Sequence, residues 1–294
     1  MSGKGDIPQV SVIIPTMASS ERGATLQRAV MSIRASSDKP ICIIAVVNGK
    51  RFDARVCEWL KAQSDIQFEY VAEPSAPGAI LRGRELVETE FFSTLDDDDE
   101  YLPGMTDQKL AMLQVNPHAA LLVANVFHCL EGVDYLLFER LNDVTNNPFE
   151  SLMQFNWLTS GNALYRASGV GSDLFTNYHA YAEWTFVAFR LALAGKKVAV
   201  LDRPAFRWNG TAGSLSKSEA YFQSYIPLFR RMLALSPPQQ IVRMIRRKMG
   251  AAYHDASEAA LRDGHRRDAW RDHLQSLFMT GGLRYLSYTR HLFK

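Results

Sequence analysis

The chain has 294 residues, enough for one large domain or two modest ones whose core needs no staples. Its 47% hydrophobic, 11% aromatic and 22% charged residues are those of an ordinary folded protein, which excludes a disordered or fibrous chain. The net charge of +2 favours no partner, yet Arg230 to Lys294 hold 13 Lys and Arg against 5 Asp and Glu, so a basic tail follows an acidic front.

The first element is "VSVIIP" (10–15), a β-branched run closed by proline, which predicts a strand buried on both faces. Residues 22–35 place Leu26, Val30 and Ile33 at helical spacing, and "ICIIAVVNG" (41–49) is a second buried strand ending in a turn. A helix "ARVCEWLKAQ", a strand "IQFEYVAE", a short helix "ILRGRELVE" and a strand "FFSTL" follow. Strands alternating with helices imply right-handed crossovers and a mostly parallel sheet, whose ligands bind beyond the carboxyl ends of the strands. Pro15-Thr16, Asn48-Gly49 and Asp96 to Glu100 all fall at such ends. Next come a helix "MTDQKLAMLQ" and a strand "AALLVANVFH", with no regular pattern over 130–156. "WLTSGNALYR" reads as turn plus strand, 180–195 as an amphipathic helix stopped by Gly195, and "KKVAVLD" as one more strand. Helical patterns dominate from Ser218, broken at Pro237-Pro238 and Gly281-Gly282, with a domain boundary near 217. Three cysteines (Cys42, Cys57, Cys129) without metal spacing fit a reducing compartment. The apolar stretch at the N-terminus is too short for a signal peptide and no run reaches the length of a membrane span, so the expected location is cytoplasmic.

The stretch "FFSTLDDDDEYLPG" (91–104) collects five acids directly after a buried strand. Their mutual repulsion works against folding unless they are solvated or meet a cation. The fixed corner made by "EYLPG" favours a cation. Hard carboxylate oxygens suit Mg²⁺ or Mn²⁺, which take one or two protein carboxylates and complete their shell with substrate phosphates.

As a set, "VSVIIPT" (10–16), "VVNG" (46–49), "TLDDDDEYLPG" (94–104) and "AEWTFVAFRLALAG" (182–195) resemble the family 2 glycosyltransferases in order and spacing, over residues 8 to about 215. The resemblance implies a GT-A fold: a Rossmann-like α/β domain at 1–217, with a nucleotide-sugar half at about 8–104 and an acceptor half at about 105–217. A helical, basic extension at 218–294 would follow it. It implies an inverting, metal-dependent transfer from a nucleoside-diphosphate sugar to a glycan or lipid-linked hydroxyl acceptor, in surface glycan synthesis of the bacterial type. Carried over by position, Asp96 and Asp98 form an Asp-x-Asp pair, with Asp98 the direct metal ligand and Asp96 facing ribose or phosphate. Asp97 and Asp99 are either solvated or assist donor binding. Pro15 and Thr16 line the nucleotide pocket, and Asn48 stands where many relatives carry a base-reading Asp. Arg82 or Arg84 reaches the diphosphate or Asp96, or both are exposed helix arginines. Glu183 aligns with an acid that resembles a catalytic base, here following Ala182 in place of a second acid. The stretch "FRWNGTAGS" lacks the histidine that often serves as a further ligand; Arg207 and Trp208 are candidates to cover the donor, and His179 to meet the acceptor.

The chain has no P-loop, dinucleotide glycine motif or Gly-x-Ser-x-Gly elbow, which disfavours those enzyme classes. A nucleotidyltransferase and a non-catalytic sugar- or nucleotide-binding relative are the alternatives. In the tail, "IVRMIRRKMG" sets Arg243, Arg246, Arg247 and Lys248 beside aliphatic residues, the pattern of a helix that lies on an anionic membrane or of a solvated cap. No nucleic-acid recognition motif accompanies these charges.

Overall fold

A computed structural model describes residues 7–210 and 223–293. The chain divides into two compact units, Met1–Tyr178 with Arg190–Ala212, and His179–Phe189 with Gly213–Lys294. The boundary expected near 217 falls outside the described residues. That the short segment His179–Phe189 groups with the C-terminal unit has no signature in composition.

In the first unit, β1 (Val10–Thr16) is buried along its whole length, as an apolar run without alternation requires when helices cover both faces. It pairs in parallel with β2 (Ile41–Asn48) on one side and β4 (Phe91–Thr94) on the other, and β2 pairs in parallel with β3 (Ile66–Val71). The crossovers are α1 (Gly23–Ala35), α2 (Ala54–Lys61) and α3 (Ala76–Glu85). Asp53 and Ser75 cap α2 and α3 by accepting from the backbone N–H of Arg55 and Gly78. The helix expected at "ILRGRELVE" therefore begins four residues earlier, behind a serine cap and Pro77 in its first turn. Gly83 lets α3 lie directly on β1: a Cβ there would come within 2.4 Å of Ile13.

Beyond β4 the sheet is mixed. The strand order is β3-β2-β1-β4-β8-β6-β9-β5, with β7 (Val133–Leu136) paired to β6 (Leu121–Leu130). β8 (Ala163–Arg166) runs antiparallel to β4 and β6, and β9 (Val198–Asn209) parallel to β6. β9 extends seven residues past the "KKVAVLD" run, and its far end pairs antiparallel with β5 (Glu100–Tyr101). The irregular 130–156 segment resolves into β7, a 3₁₀ turn at Leu141–Thr145 and α5 (Pro148–Leu152); α4 (Met105–Gln114) follows the acid turn. α6 (Glu183–Leu193) is the amphipathic helix expected at 180–195.

The second unit is helical: α7 (Tyr225–Ala234), α8 (Gln239–Arg262), α9 (Arg266–Leu277), a 3₁₀ segment Gly282–Tyr288 and α10 (Thr289–Leu292). The aliphatic stripe of α8, with Ile241, Ile245, Met249 and Tyr253, is buried, which reports a helix packed into its own bundle. No described helix is long and apolar enough to cross a membrane.

Candidate functional site

The strand order reverses at β1, because β2 and β3 lie to one side and β4 to the other. In open α/β sheets the crevice beyond the carboxyl ends at such a reversal is where ligands bind. Thr16 ends β1, Asn48 ends β2, and the acids follow β4 with only Leu95 between, held by its N–H to Ile13 O at 3.0 Å.

The acid run alternates. Asp97 and Asp99 are buried, whereas Asp96, Asp98 and Glu100 are half-exposed. A tight turn, with the Asp99 N–H donating to Asp96 O at 3.1 Å, sets that alternation. Asp97 accepts from the Thr16 hydroxyl at 2.6 Å and is ion-paired with Arg22. Burial raises its pKa above the ordinary carboxylate range, opposed by Thr16 and Arg22. Asp99 accepts from the Asn209 backbone N–H at 2.9 Å, and burial, joined by repulsion from the like charge of Asp96, holds its pKa well above that range. Both inner acids are thus built into the scaffold.

The outer acids are placed from outside. The Ser160 hydroxyl donates to Asp96 at 2.9 Å. The Asp98 carboxylate lies 3.4 Å from the Arg22 guanidinium, and its carbonyl accepts from Asn209 Nδ2 at 2.8 Å and Arg28 at 3.1 Å. Arg28 also pairs with Glu100 at 2.9 Å. Two arginines offset only part of five acids, so the turn keeps a negative field at its mouth. Hard oxygens from two partly exposed carboxylates with one residue between them fit a small divalent cation. Among the described residues no three His, Cys, Asp or Glu side chains converge as a ready-made cage, so such an ion would take its remaining ligands from water and phosphate.

Asn48 is buried at the end of β2 and donates from Nδ2 to Thr16 O at 3.0 Å, tying two strand ends together. Ala18, two residues beyond β1, sits at φ 47°, uncommon for a residue with a Cβ; its N–H donates to the Thr16 hydroxyl and its carbonyl accepts from Asp53. Arg82 pairs with Glu69 at 2.9 Å and Glu85 at 3.4 Å on the outside of α3. Arg84 donates to the carbonyls of Ala167 and Val170 and lies over Phe92, a structural placement. Arg207 forms a two-point pair with Asp134 at 2.7 and 2.8 Å, and Trp208 stacks on His128 at 4.4 Å. Of the stretch 206–214, residues 211 onward lie outside the described ones.

Glu183 opens α6, where the helix N-terminus favours a carboxylate. Its Oε2 is shielded from solvent with no hydrogen-bond partner, and burial raises its pKa, opposed by its own backbone N–H. Tyr181, two residues earlier, holds φ 69°, a strained value for a bulky side chain. His179 Nε2 meets Ser224 O at 2.9 Å, and burial lowers its pKa.

Arg22, Arg28, Ser160 and Asn209 were not legible as site residues. Their partners lie 64 to 111 positions away, and no local pattern encodes such pairings.

The family model for glycosyl transferase family 2 matches residues 11–168, more than half the chain, including all of β1 but Val10 and the whole acid turn. The chain belongs to glycosyl transferase family 2. Glu183 and the helical unit lie outside the span that the family model covers. No curated protein sequence matches the chain. Among solved structures, S. aureus TarS 1–349 in complex with UDP-GlcNAc superposes with TM-score 0.57 at 13% identity, over 92% of this chain and 91% of that one. TarS 1–349 in complex with UDP gives 0.56 at 14%, over 81% and 69%. Identities this low establish a shared GT-A-like fold with these structures and nothing finer.

Proposed function

We propose that the chain transfers a sugar from a nucleoside-diphosphate sugar to a hydroxyl acceptor, with inversion and with Mg²⁺ or Mn²⁺, in surface glycan synthesis of the bacterial type. The observation that carries this reading is the alternation in the acid turn: the inner acids are tied into the fold, while Asp96 and Asp98 stand half-exposed at the crevice of a strand reversal. A purely structural acid cluster has no need to present two of its members this way.

Asp98, with Asp96, would hold the ion; when bound, it neutralises the charge of the departing diphosphate. Pro15, Thr16 and Asn48 would line the nucleotide at the carboxyl ends of β1 and β2. Asp97 and Asp99 serve the donor set by fixing the turn; Arg82, held by Glu69 and Glu85 on the outside of α3, would join it only by leaving those partners. Glu183 takes the proton. The acceptor oxygen forms its bond to the anomeric carbon as the bond from that carbon to the diphosphate breaks, and the hydroxyl proton passes to the Glu183 carboxylate. Burial that raises its pKa makes it a better base. The acceptor class is a glycan or a lipid-linked glycan, met where the basic C-terminal unit touches an anionic membrane.

S. aureus TarS, alike in fold, is crystallised with UDP-GlcNAc, which makes that compound the first donor to try. The test is a panel of nucleotide sugars incubated with Mg²⁺ or Mn²⁺ and scored for release of nucleoside diphosphate. Metal-dependent release from one donor is the expected result. Tight donor binding without release would leave a binding protein, and pyrophosphate release from a nucleoside triphosphate would make it a nucleotidyltransferase.

A further inference from the structure

The last segment of the chain has its polarity inverted. Tyr285 and Tyr288 turn inward onto His254, at ring distances of 4.2 and 4.8 Å, and the His273 ring nitrogen meets the Thr289 hydroxyl at 2.8 Å. Most of the large apolar groups of the same segment, Leu277 and the buried Leu292 apart, point to solvent: Phe278 is 84% exposed, Leu283 77% and Phe293 75%, with Leu286 and Leu274 about half-exposed. Trp270 and Leu274 on α9 and Phe278 at its C-cap recur every four residues, so they share one face, and Phe293 packs edge-on to Trp270 at 5.0 Å. Large apolar side chains gathered outside, while two phenols and two imidazoles pack on the inner side, mark an interaction surface.

The charges around it name the partner. Between residues 266 and 293 there are five arginines and two aspartates, and both aspartates are already paired with Arg271. Arg284 and Arg290 are exposed among the apolar groups. A second copy meeting this face through a two-fold axis would set arginines against arginines. An anionic lipid surface accepts both components, apolar groups into the acyl boundary and arginines among the headgroups.

We infer that the surface formed by Leu274, Phe278, Leu283, Leu286 and Phe293, with Arg284 and Arg290, inserts shallowly into an anionic membrane. This rests on the membrane reading above and moves it. The basic helix α8, where the sequence pattern places the contact, spends its aliphatic stripe on its own bundle, and Lys248 is itself partly buried, which lowers its pKa. That helix has no apolar face left to insert.

The experiment is sedimentation of the full chain with vesicles of phosphatidylglycerol or of phosphatidylcholine. The parent protein binds the first in a salt-sensitive way and the second poorly. Phe278→Ser with Leu283→Ser and Leu286→Ser removes only exposed groups and lowers binding to phosphatidylglycerol at least about ten-fold. Each of Arg284→Gln and Arg290→Gln lowers it roughly five-fold. Arg246→Gln with Arg247→Gln lowers binding less than the triple variant does. Undiminished binding by the triple variant overturns the proposal, as does a parent that ignores phosphatidylglycerol. A self-association seen by ultracentrifugation and lost in the triple variant, without vesicle binding, would assign the surface to a second copy instead. Nucleoside diphosphate release is measured on the same samples and is unchanged in the triple variant. Vesicle binding without any release in the parent would sink the transferase reading and leave this one standing.

Discussion

At the residue scale, one position in register separates a ligand from a scaffold group. Asp98→Ala is expected to abolish metal-dependent turnover and to leave the metal-free fold intact, because it removes one charge from a crowded turn. Asp97→Asn keeps the shape of a scaffold group and changes only its charge, so the smaller loss of turnover is expected there. Metal-dependent release, read beside a denaturant midpoint for both variants, would show the register to be off by one if the larger loss of turnover fell at Asp97. For Glu183→Gln, donor affinity stays nearly unchanged while transfer falls by about 10²- to 10⁴-fold, the usual contribution of a positioned base. A base works only when deprotonated and burial raises this carboxyl, so in the parent kcat/KM falls with decreasing pH through a value above the ordinary 4.5. A normal rate for the Gln variant would send the search for the base to Asp99 and His179. The sequence displayed all of these acids, and the order of motifs set Asp97, Asp98 and Asp99 at a strand end and Glu183 in a helix. Which of them point outward depended on a turn whose anchors, Ser160 and Asn209, are far away along the chain.

At the scale of elements, the alternation of apolar runs and helical spacings was enough to place β1, β2, β4, α1, α4 and α6, since each buries a face that its own sequence advertises. β5 and the far half of β9 were illegible for the opposite reason. β5 is two residues long inside a charged turn, and the end of β9, "RPAFRWN", carries arginines and an asparagine that suit a loop equally well. The far half of β9 is a strand because its parallel pairing with β6 continues to Asn209, and β5 is one because it pairs with that end, Glu100 opposite Arg207 and Tyr101 opposite Phe206. That pairing clamps the acid turn against the sheet. Asn209 is its last link, donating from Nδ2 to Asp98 O at 2.8 Å and to Glu100 at 3.3 Å. Asn209→Ala keeps the backbone bond to Asp99 and deletes both side-chain bonds. A net loss of about 0.5–1.5 kcal/mol per hydrogen bond is expected in the denaturant midpoint. Weaker Mn²⁺ affinity in a calorimetric titration should accompany it, because the Asp98 backbone is no longer fixed. A shifted midpoint with unaltered Mn²⁺ affinity would reduce the clamp to a structural bond.

At the scale of the whole molecule, the buried charges make stability depend on pH in two opposite senses. Asp97 and Asp99 have folded-state pKa values raised above the ordinary 3.8, so the native state binds protons more tightly than the unfolded chain. Their effect is that stability falls as pH rises from about that value through the raised ones. Lys109 acts in the other direction. It lies on α4, fully buried, its ammonium 4.2 Å from the centre of the Tyr101 ring and without a hydrogen-bond partner, and burial lowers its pKa from 10.5 to about 7. Below about pH 7 the folded protein must carry this charge in an apolar site, softened only by the ring. Between about 7 and 10.5 the unfolded chain holds a proton that the folded one has released, so stability rises with pH, by at most about 1.4 kcal/mol per unit. Lys109→Met keeps the length of the side chain and removes the titration. The variant should be more stable than the parent at pH 7 by a few kcal/mol, on the order of what an unpaired buried amine costs. It should also lose the rise in stability above that pH. Chemical denaturation of both proteins across this range checks the slope and the offset together. Parallel curves for parent and variant would mean that Lys109 reaches water in the folded state and keeps its proton there.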